Sequence, residues 1–233
     1  MSIYFNGVSS DTHGVIVQHR PNMIHAQRVV STVSVPGRNG DLVIDEGRYA
    51  NYTQSYDIFT RASRGQIQEH ITDLSPWLLG PAGYCRLVDT YEPDYYRMAR
   101  FIGPINAENL VNTVGTCTLE FDCMPQRWLL TGETAVTVTT SGTRISNPTQ
   151  FNARPLIRAY GTGSFTIGST QIVINSANTY TDIDCELQDA YHGTDNCNGN
   201  IEVDEFPVLT PGVNTITFSG LTRLDITPRW WTI

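Results

Sequence analysis

Asn147-Pro148-Thr149, Arg154-Pro155-Leu156-Ile157, Asp182-Ile183-Asp184-Cys185-Glu186 and Phe206-Pro207-Val208-Leu209-Thr210-Pro211-Gly212-Val213-Asn214 mark out the second half of the chain. Short apolar runs alternate there with Pro and Gly turns, and the chain closes on Thr227-Pro228-Arg229-Trp230-Trp231-Thr232-Ile233. Strand candidates fall at 156–160, 163–167, 171–174, 181–187, 200–203, 214–219 and 223–227. Short strands at regular spacing with such turns read as a β-sandwich.

The first half carries the same period of two. Gly7 to Ser10 and Val15-Ile16-Val17 read as a short strand pair. Ser31 to Val35 alternates and stops at Pro36-Gly37, and the pattern resumes at Leu42 and Ile44 beyond Asn39-Gly40, which is hairpin turn chemistry. Tyr52 to Phe59, Gly83 to Val88, Arg97 to Ile102 and Thr116 to Cys123 are further strands. In the last of these, Cys117, Leu119, Phe121 and Cys123 alternate with Thr and acids, so one sheet face is wet.

One segment departs from this. Ser63-x-x-Gln66 has capping-box spacing, and Ile67, Ile71 and Leu74 share a helical face before Pro76. The spacing predicts one helix from about Arg64 to Leu74, packed on a sheet. The fold class expected is therefore mainly β: an N-terminal β domain with one helix over residues 1–131, then a C-terminal β-sandwich over 132–233. The boundary lies near Leu130 to Gly132. Whether the last strand stays in the sandwich or packs back on the first domain is open.

With 233 residues the chain is long enough for one large or two small β cores. Charged residues make up only 16 %, which fits a surface partly covered by partners as well as it fits an ordinary Thr/Ser-rich β protein. All fifteen basic residues are Arg, a choice suited to permanent interfaces but equally a product of codon bias. A net charge of -8 without a dense Arg cluster argues against nucleic-acid binding. Five Cys without C-x-x-C spacing read as free thiols made in a reducing cytoplasm. Met1 to Asn6 is too polar and too short for a signal peptide, and no apolar run approaches membrane-spanning length. No cofactor, metal or membrane partner is expected.

Catalytic patterns do not assemble. Gly161-Thr162-Gly163-Ser164-Phe165 lacks the glycine that a nucleophile elbow needs, the five His lie without paired spacing, and a P-loop would need a Lys. Asp182, Asp184 and Glu186 lack the loop glycine of a Ca²⁺ site, since Leu187 stands there. They read as one face of a strand, with Ile183, Cys185 and Leu187 on the other. Asp189, Asp195, Asn196 and Asn198 read as a solvated Gly-rich turn. Trp230 and Trp231 are adjacent, so a strand sends one into the core and leaves the other as an interface anchor.

Val35-Pro36-Gly37-Arg38-Asn39-Gly40-Asp41-Leu42, Gly83-Tyr84-Cys85-Arg86-Leu87, Pro93-Asp94-Tyr95-Tyr96-Arg97 and Cys123-Met124-Pro125-Gln126-Arg127-Trp128 follow one another in the first half. Together with the Asn-Pro-Thr opening and Pro-Arg-Trp-Trp ending of the second, this ordered set resembles the distal tail proteins of long non-contractile-tailed phages and their prophage relatives. Each motif alone has low specificity; the order carries the resemblance, which spans nearly the whole chain.

The resemblance implies a structural virion protein of the tail tip or baseplate, made in the host bacterial cytoplasm. Its N-terminal domain would close into a homohexameric ring, with a galectin-like sandwich hung outside. The implied partners are the tail tube protein, the tail-tip hub and the receptor-binding components, with DNA passing through the lumen unbound. On that reading Arg38, Arg97, Trp230 and Trp231 are the interface candidates. Asp41, Asp45 and Glu46 are the candidates for lumen charge, because six copies carry a formal -48 and a like-charged wall keeps DNA from sticking. The rival reading is a carbohydrate-binding tail module that recognises host cell-wall glycans through Tyr180, Tyr191 or Trp231. A hydrolase stands third, for want of paired catalytic groups.

Overall fold

The computed structural model describes residues 1–61, 63, 66–106, 108–111 and 114–233. The chain divides into two compact units, residues 1–127 with Ile233, and residues 128–232.

The first unit opens with β1 (Ile3–Phe5), β2 (Val8–Ser9), β3 (Val15–Val17), β4 (Arg28–Val33), β5 (Leu42–Tyr49) and β6 (Tyr52–Arg61). Helices α1 (Ile67–Thr72) and α2 (Ser75–Leu79) follow, then β7 (Cys85–Asp89), β8 (Tyr95–Phe101), β9 (Glu108–Val111) and β10 (Val114–Leu129). The main sheet runs β2-β1-β7-β8-β10-β6-β3, with β9 beside β10. Period-two alternation builds its core. Tyr52, Tyr56 and Ile58 of β6 and Leu119, Phe121 and Cys123 of β10 are buried, while Glu120 between them is exposed. Phe121 holds Phe5, Tyr56 and Phe101 at ring-centroid distances of 5.1, 6.0 and 5.5 Å, in the tilted and edge-on geometries that aromatic quadrupoles favour.

Two local expectations come out differently. Val8-Ser9 and Val15 to Val17 do not pair with each other; β2 pairs with β1, and β3 pairs with β6. Ser9 caps a 3₁₀ turn at Ser10–His13, and Gly14, at φ 59°, turns the chain away from β2. The helical region forms as two short turns rather than one run. Arg64, its expected start, lies outside the described residues. Pro76, read as the stop, sits instead at the N-terminus of α2, where its missing N–H leaves no bond unmade. Ile67, Leu74, Trp77 and Leu78 are buried beneath this pair, and the Trp77 Nε1–H donates to the Phe5 carbonyl at 3.1 Å.

The second unit contains β11 (Val136–Val138), β12 (Thr143–Asn147), β13 (Leu156–Tyr160), β14 (Gly163–Ile167), β15 (Thr170–Ile174) and β16 (Thr181–Asp184). It continues with β17 (Asp189–His192), β18 (Asp195–Asn196), β19 (Ile201–Val203), β20 (Gly212–Ser219), β21 (Arg223–Thr227) and β22 (Trp231–Thr232). Two sheets, β11-β21-β13-β16-β17-β18 and β12-β20-β14-β15-β19, share one core. Ile157, Ile183, Leu224 and Ile226 come from the first, and Ile145, Phe165, Ile172 and Ile216 from the second. This is a β-sandwich.

The acidic stretch of this unit departs from the strand reading. β16 ends at Asp184, whose Oδ1 accepts the N–H of Glu186 at 3.0 Å and of Leu187 at 3.1 Å. That Asx turn and Gln188 at φ 56° end the alternation, so Leu187 is 70 % exposed rather than in the core. The segment read as a solvated turn is ordered by pairing of β17 with β18, with Asn198 Oδ1 accepting the Ala190 N–H at 2.7 Å. At the start of the unit, a Cβ on Gly132 would lie 2.4 Å from the Trp230 backbone nitrogen, so only glycine fits there.

Candidate functional site

Strands β4 and β5 form a two-stranded sheet of their own. Its register opposes Val33 to Leu42, Thr32 to Val43, Ser31 to Ile44 and Val30 to Asp45. Gly37 and Gly40 take φ of 81° and 84° in the connecting loop, a region that favours glycine. Every residue from Val30 to Arg48 is exposed. Because side chains alternate across a strand, Val33, Leu42 and Ile44 share one face, while Val30 and Val43 share the other. Their exposures run from 40 % at Leu42 to 60 % at Val43. A surface hairpin normally buries one face and wets the other. This one presents aliphatic side chains on both faces, and isolated two-stranded hairpins are marginal in water. Cover on both sides would resolve that imbalance.

The hairpin carries the three candidate lumen acids, and two of them are already paired. Asp45 accepts from Arg28 Nε at 2.8 Å, from Arg28 Nη2 in a second, shorter contact, and from the Gly47 N–H at 2.9 Å. The Arg28 bond, then the Gly47 N–H, hold its carboxyl below the ordinary range. Glu46 accepts from Ser31 Oγ at 2.8 Å and Arg48 Nη2 at 3.2 Å. Asp41 is exposed in the loop. Residues 28–49 contain three carboxylates and three guanidiniums, so the hairpin is neutral as a whole. The acidity lies elsewhere: residues 1–127 carry a net -3 and residues 128–232 a net -5.

The interface candidates separate by environment. Arg38 lies exposed in the hairpin loop, its N–H donating to the Val35 carbonyl at 3.1 Å. Arg97 is 3 % exposed and belongs to the interior of the first unit. Its Nε donates to Tyr52 OH at 3.0 Å and Nη1 to Asp89 Oδ2 at 3.3 Å, and Nη2 meets Glu92. Glu92 also accepts from Arg127 Nη1 at 2.6 Å, and Arg127 Nη2 donates to the Ile233 carbonyl at 2.9 Å. Burial opposes the charge on Arg97, but the phenols of Tyr52 and Tyr56 and the two carboxylates outweigh it and leave its pKa raised. Arg97 therefore ties strands together within one protomer and is unavailable to another.

Trp230 is 5 % exposed in the sandwich core, so it too is structural. Trp231 is half-buried, stacked on Phe151 at 4.5 Å with its Nε1–H on the Asn152 carbonyl at 2.9 Å. Tyr180 lies beneath the Arg158 guanidinium at 4.1 Å and against His192 at 4.3 Å. What sequence reasoning missed is the Asp89–Arg97–Glu92–Arg127 network. Its members are 38 positions apart end to end, and only the β7-β8-β10 pairing brings them together.

Among the described residues no group of three or more His, Cys, Asp or Glu is placed to hold a metal ion. No helix among them is long and apolar enough to cross a membrane.

These features define a mainly β, two-unit protein that carries an exposed, self-neutralised hairpin. No family model matches the chain, and no curated protein matches it. Among solved structures it is similar to the Dit protein (gp 19.1) of phage SPP1, described as a paradigm of the hub adsorption apparatus in phages infecting Gram-positive bacteria. The TM-score is 0.77 at 17 % identity, over 100 % of this chain and 99 % of that one. A chain of the phage p2 baseplate in its Sr-bound activated conformation matches with a TM-score of 0.51 at 11 % identity, over 97 % and 95 % of the two chains. The chain has the fold of SPP1 Dit along its full length.

Proposed function

We propose that this protein is a structural subunit of a phage tail tip, a distal tail protein whose first unit closes into a six-membered ring between the tail tube and the tail-tip hub. The observation that carries the proposal is the β4–β5 hairpin. It belongs to a fold shared with a phage hub protein, and it exposes apolar side chains on both faces. A ring supplies two neighbours to every subunit, one for each face, which a single heterologous contact does not. Arg38 in its loop and Trp231 in the sandwich are the remaining interface residues.

In this arrangement the sandwich, which the resemblance makes galectin-like, hangs outside, and DNA crosses the lumen without being bound. The hairpin is neutral in sum and pairs Asp45 and Glu46 with its own Arg28 and Arg48, so any net repulsion of DNA would come from other acids of the first unit. The protein acts by holding its neighbours in place and carries out no chemical step. Negative-stain electron microscopy of the purified protein tests this: six-fold rings with an open lumen are expected. Purified protein that gives only single particles beside assembled tail tubes, with no ring capping a tube end, would overturn it.

A further inference from the structure

The chain contains three Asn-Gly pairs, Asn6-Gly7, Asn39-Gly40 and Asn198-Gly199. Because glycine has no Cβ, its amide nitrogen has an open approach to the carboxamide carbon of the asparagine before it. Closing that five-membered ring requires the Asn ψ to rotate until Cβ eclipses the glycine nitrogen. Hydrogen bonds to the backbone or the carboxamide resist the rotation, and they are distributed unequally over the three pairs.

Two pairs are locked. Asn6 and Gly7, at φ of 51° and 78°, form the two-residue turn between β1 and β2, with Phe5 paired to Val8 across it. The Asn6 N–H donates to the Arg86 carbonyl at 3.0 Å. Asn198 opens a 3₁₀ turn over Asn198–Asn200, and its carboxamide is held at both ends. Its Oδ1 accepts the Ala190 N–H at 2.7 Å, and its Nδ2 donates to Asp189 Oδ1 at 2.6 Å.

Asn39-Gly40 is not held in this way. The hairpin turn closes before it, where the Arg38 N–H donates to the Val35 carbonyl at 3.1 Å, and strand pairing starts beyond it, at Leu42 opposite Val33. Asn39 and Gly40 are exposed, and neither the Asn39 carboxamide nor the Gly40 N–H has a hydrogen-bond partner among the described residues. A Cβ on Gly40 would meet nothing within 4 Å, so there is room for the ring to form.

We propose that Asn39 is a self-modification site, at which the folded protein deamidates selectively. The Gly40 nitrogen, its proton taken by hydroxide, bonds to Asn39 Cγ. The Cγ–Nδ2 bond then breaks, and Nδ2 leaves as ammonia with a proton from water. Water opens the succinimide at either carbonyl, giving aspartate or isoaspartate. One water is consumed and one ammonia released, with no change of oxidation state. The hairpin then holds four carboxylates against its three guanidiniums. The isoaspartate product also carries one extra methylene in the backbone between the turn and β5.

The test incubates the full native chain in mildly alkaline heavy-oxygen water at body temperature over days, followed by tryptic peptide mapping. Only conversions made during the incubation carry the label. Cleavage after Arg38 and Arg48 releases residues 39–48, so the product is read on one peptide. Asn39 should convert at least about tenfold faster than Asn198, whose two carboxamide hydrogen bonds must first break, or Asn6. Each converted chain gains one negative charge beyond its formal -8 and should elute later on anion exchange. In guanidinium chloride, with the hydrogen bonds gone, the three rates should converge to within about threefold. Asn39→Gln, whose longer side chain would have to close a six-membered ring, should remove the charge variant.

An Asn39 that stays unconverted in the folded chain would overturn the proposal. So would native conversion at Asn6 or Asn198 as fast as at Asn39, or an acidic variant that persists in Asn39→Gln. The proposal rests on the hairpin loop alone, and none of these outcomes bears on whether the protein forms rings.

Discussion

Replacing Val43 and Ile44 by Asp places one carboxylate on each face of the hairpin. In the protomer these side chains are 60 % and 49 % exposed. Burying an aliphatic side chain completely is worth about 1.5–3 kcal/mol, so covering what remains of each contributes about 1–1.5 kcal/mol. The double variant thus forfeits about 2–3 kcal/mol per protomer before the cost of covering two carboxylates, which is about 30- to 150-fold in each contact's association constant. The protomer should hardly notice, because exposed substitutions usually stay within about 0.5 kcal/mol. Mass photometry across a concentration series, with circular dichroism melting as control, reads both effects. The reasoning predicts loss of rings with an unchanged melting temperature. Rings that persist at wild-type concentrations would refute it, as would a protomer that melts several degrees lower.

Three further outcomes follow from the buried groups. Arg97→Met leaves the buried Asp89 without its cation and Glu92 with Arg127 alone, and should cost about 3–5 kcal/mol of unfolding free energy in urea; a loss under about 1 kcal/mol would show that Arg97 does not hold these strands together. Burial raises the Asp184 pKa, but the Arg229 bonds and the backbone N–H groups of Leu187 and Glu186 lower it further, to a net value below the ordinary 3.8. A carboxyl lowered on folding adds stability above its unfolded pKa, and this is lost as pH falls through the folded value. Acid melts should therefore show stability falling below about pH 4, with a smaller acid dependence in Asp184→Asn; identical profiles would exclude the pair as the cause. Burial pushes the thiols of Cys123 and Cys185 up to about 12. At pH 8 about one part in ten thousand is thiolate, so native protein should leave both unlabelled by iodoacetamide over hours while the denatured chain labels at all five Cys.

Alternation alone made the strands legible, because a half-buried strand must write its two faces into the sequence. Leu119, Phe121 and Cys123 illustrate this, and their side chains are fully buried. Local signals that compete with alternation misled. Asp184 reads as one more strand acid, yet its carboxylate captures two backbone N–H groups and ends the strand. Pro76 reads as a stop, although the first turn of a helix accepts proline. For the candidate site, the hairpin was visible from its turn residues, but its exposure on both faces depends on what packs against it, which no window of sequence records. Arg97 was singled out as an interface residue from sequence. Its burial follows from Asp89 and Glu92 on β7 and its loop meeting it from the neighbouring strand, a long-range coincidence that periodicity does not encode.

Native mass spectrometry of the purified protein tests the central claim most directly. Six copies of a 25.9 kDa chain weigh 155 kDa. The account predicts that this species grows with concentration and vanishes in the Val43→Asp, Ile44→Asp variant. A single 25.9 kDa species at every concentration for the wild type, or a 155 kDa species that the variant retains, would contradict it.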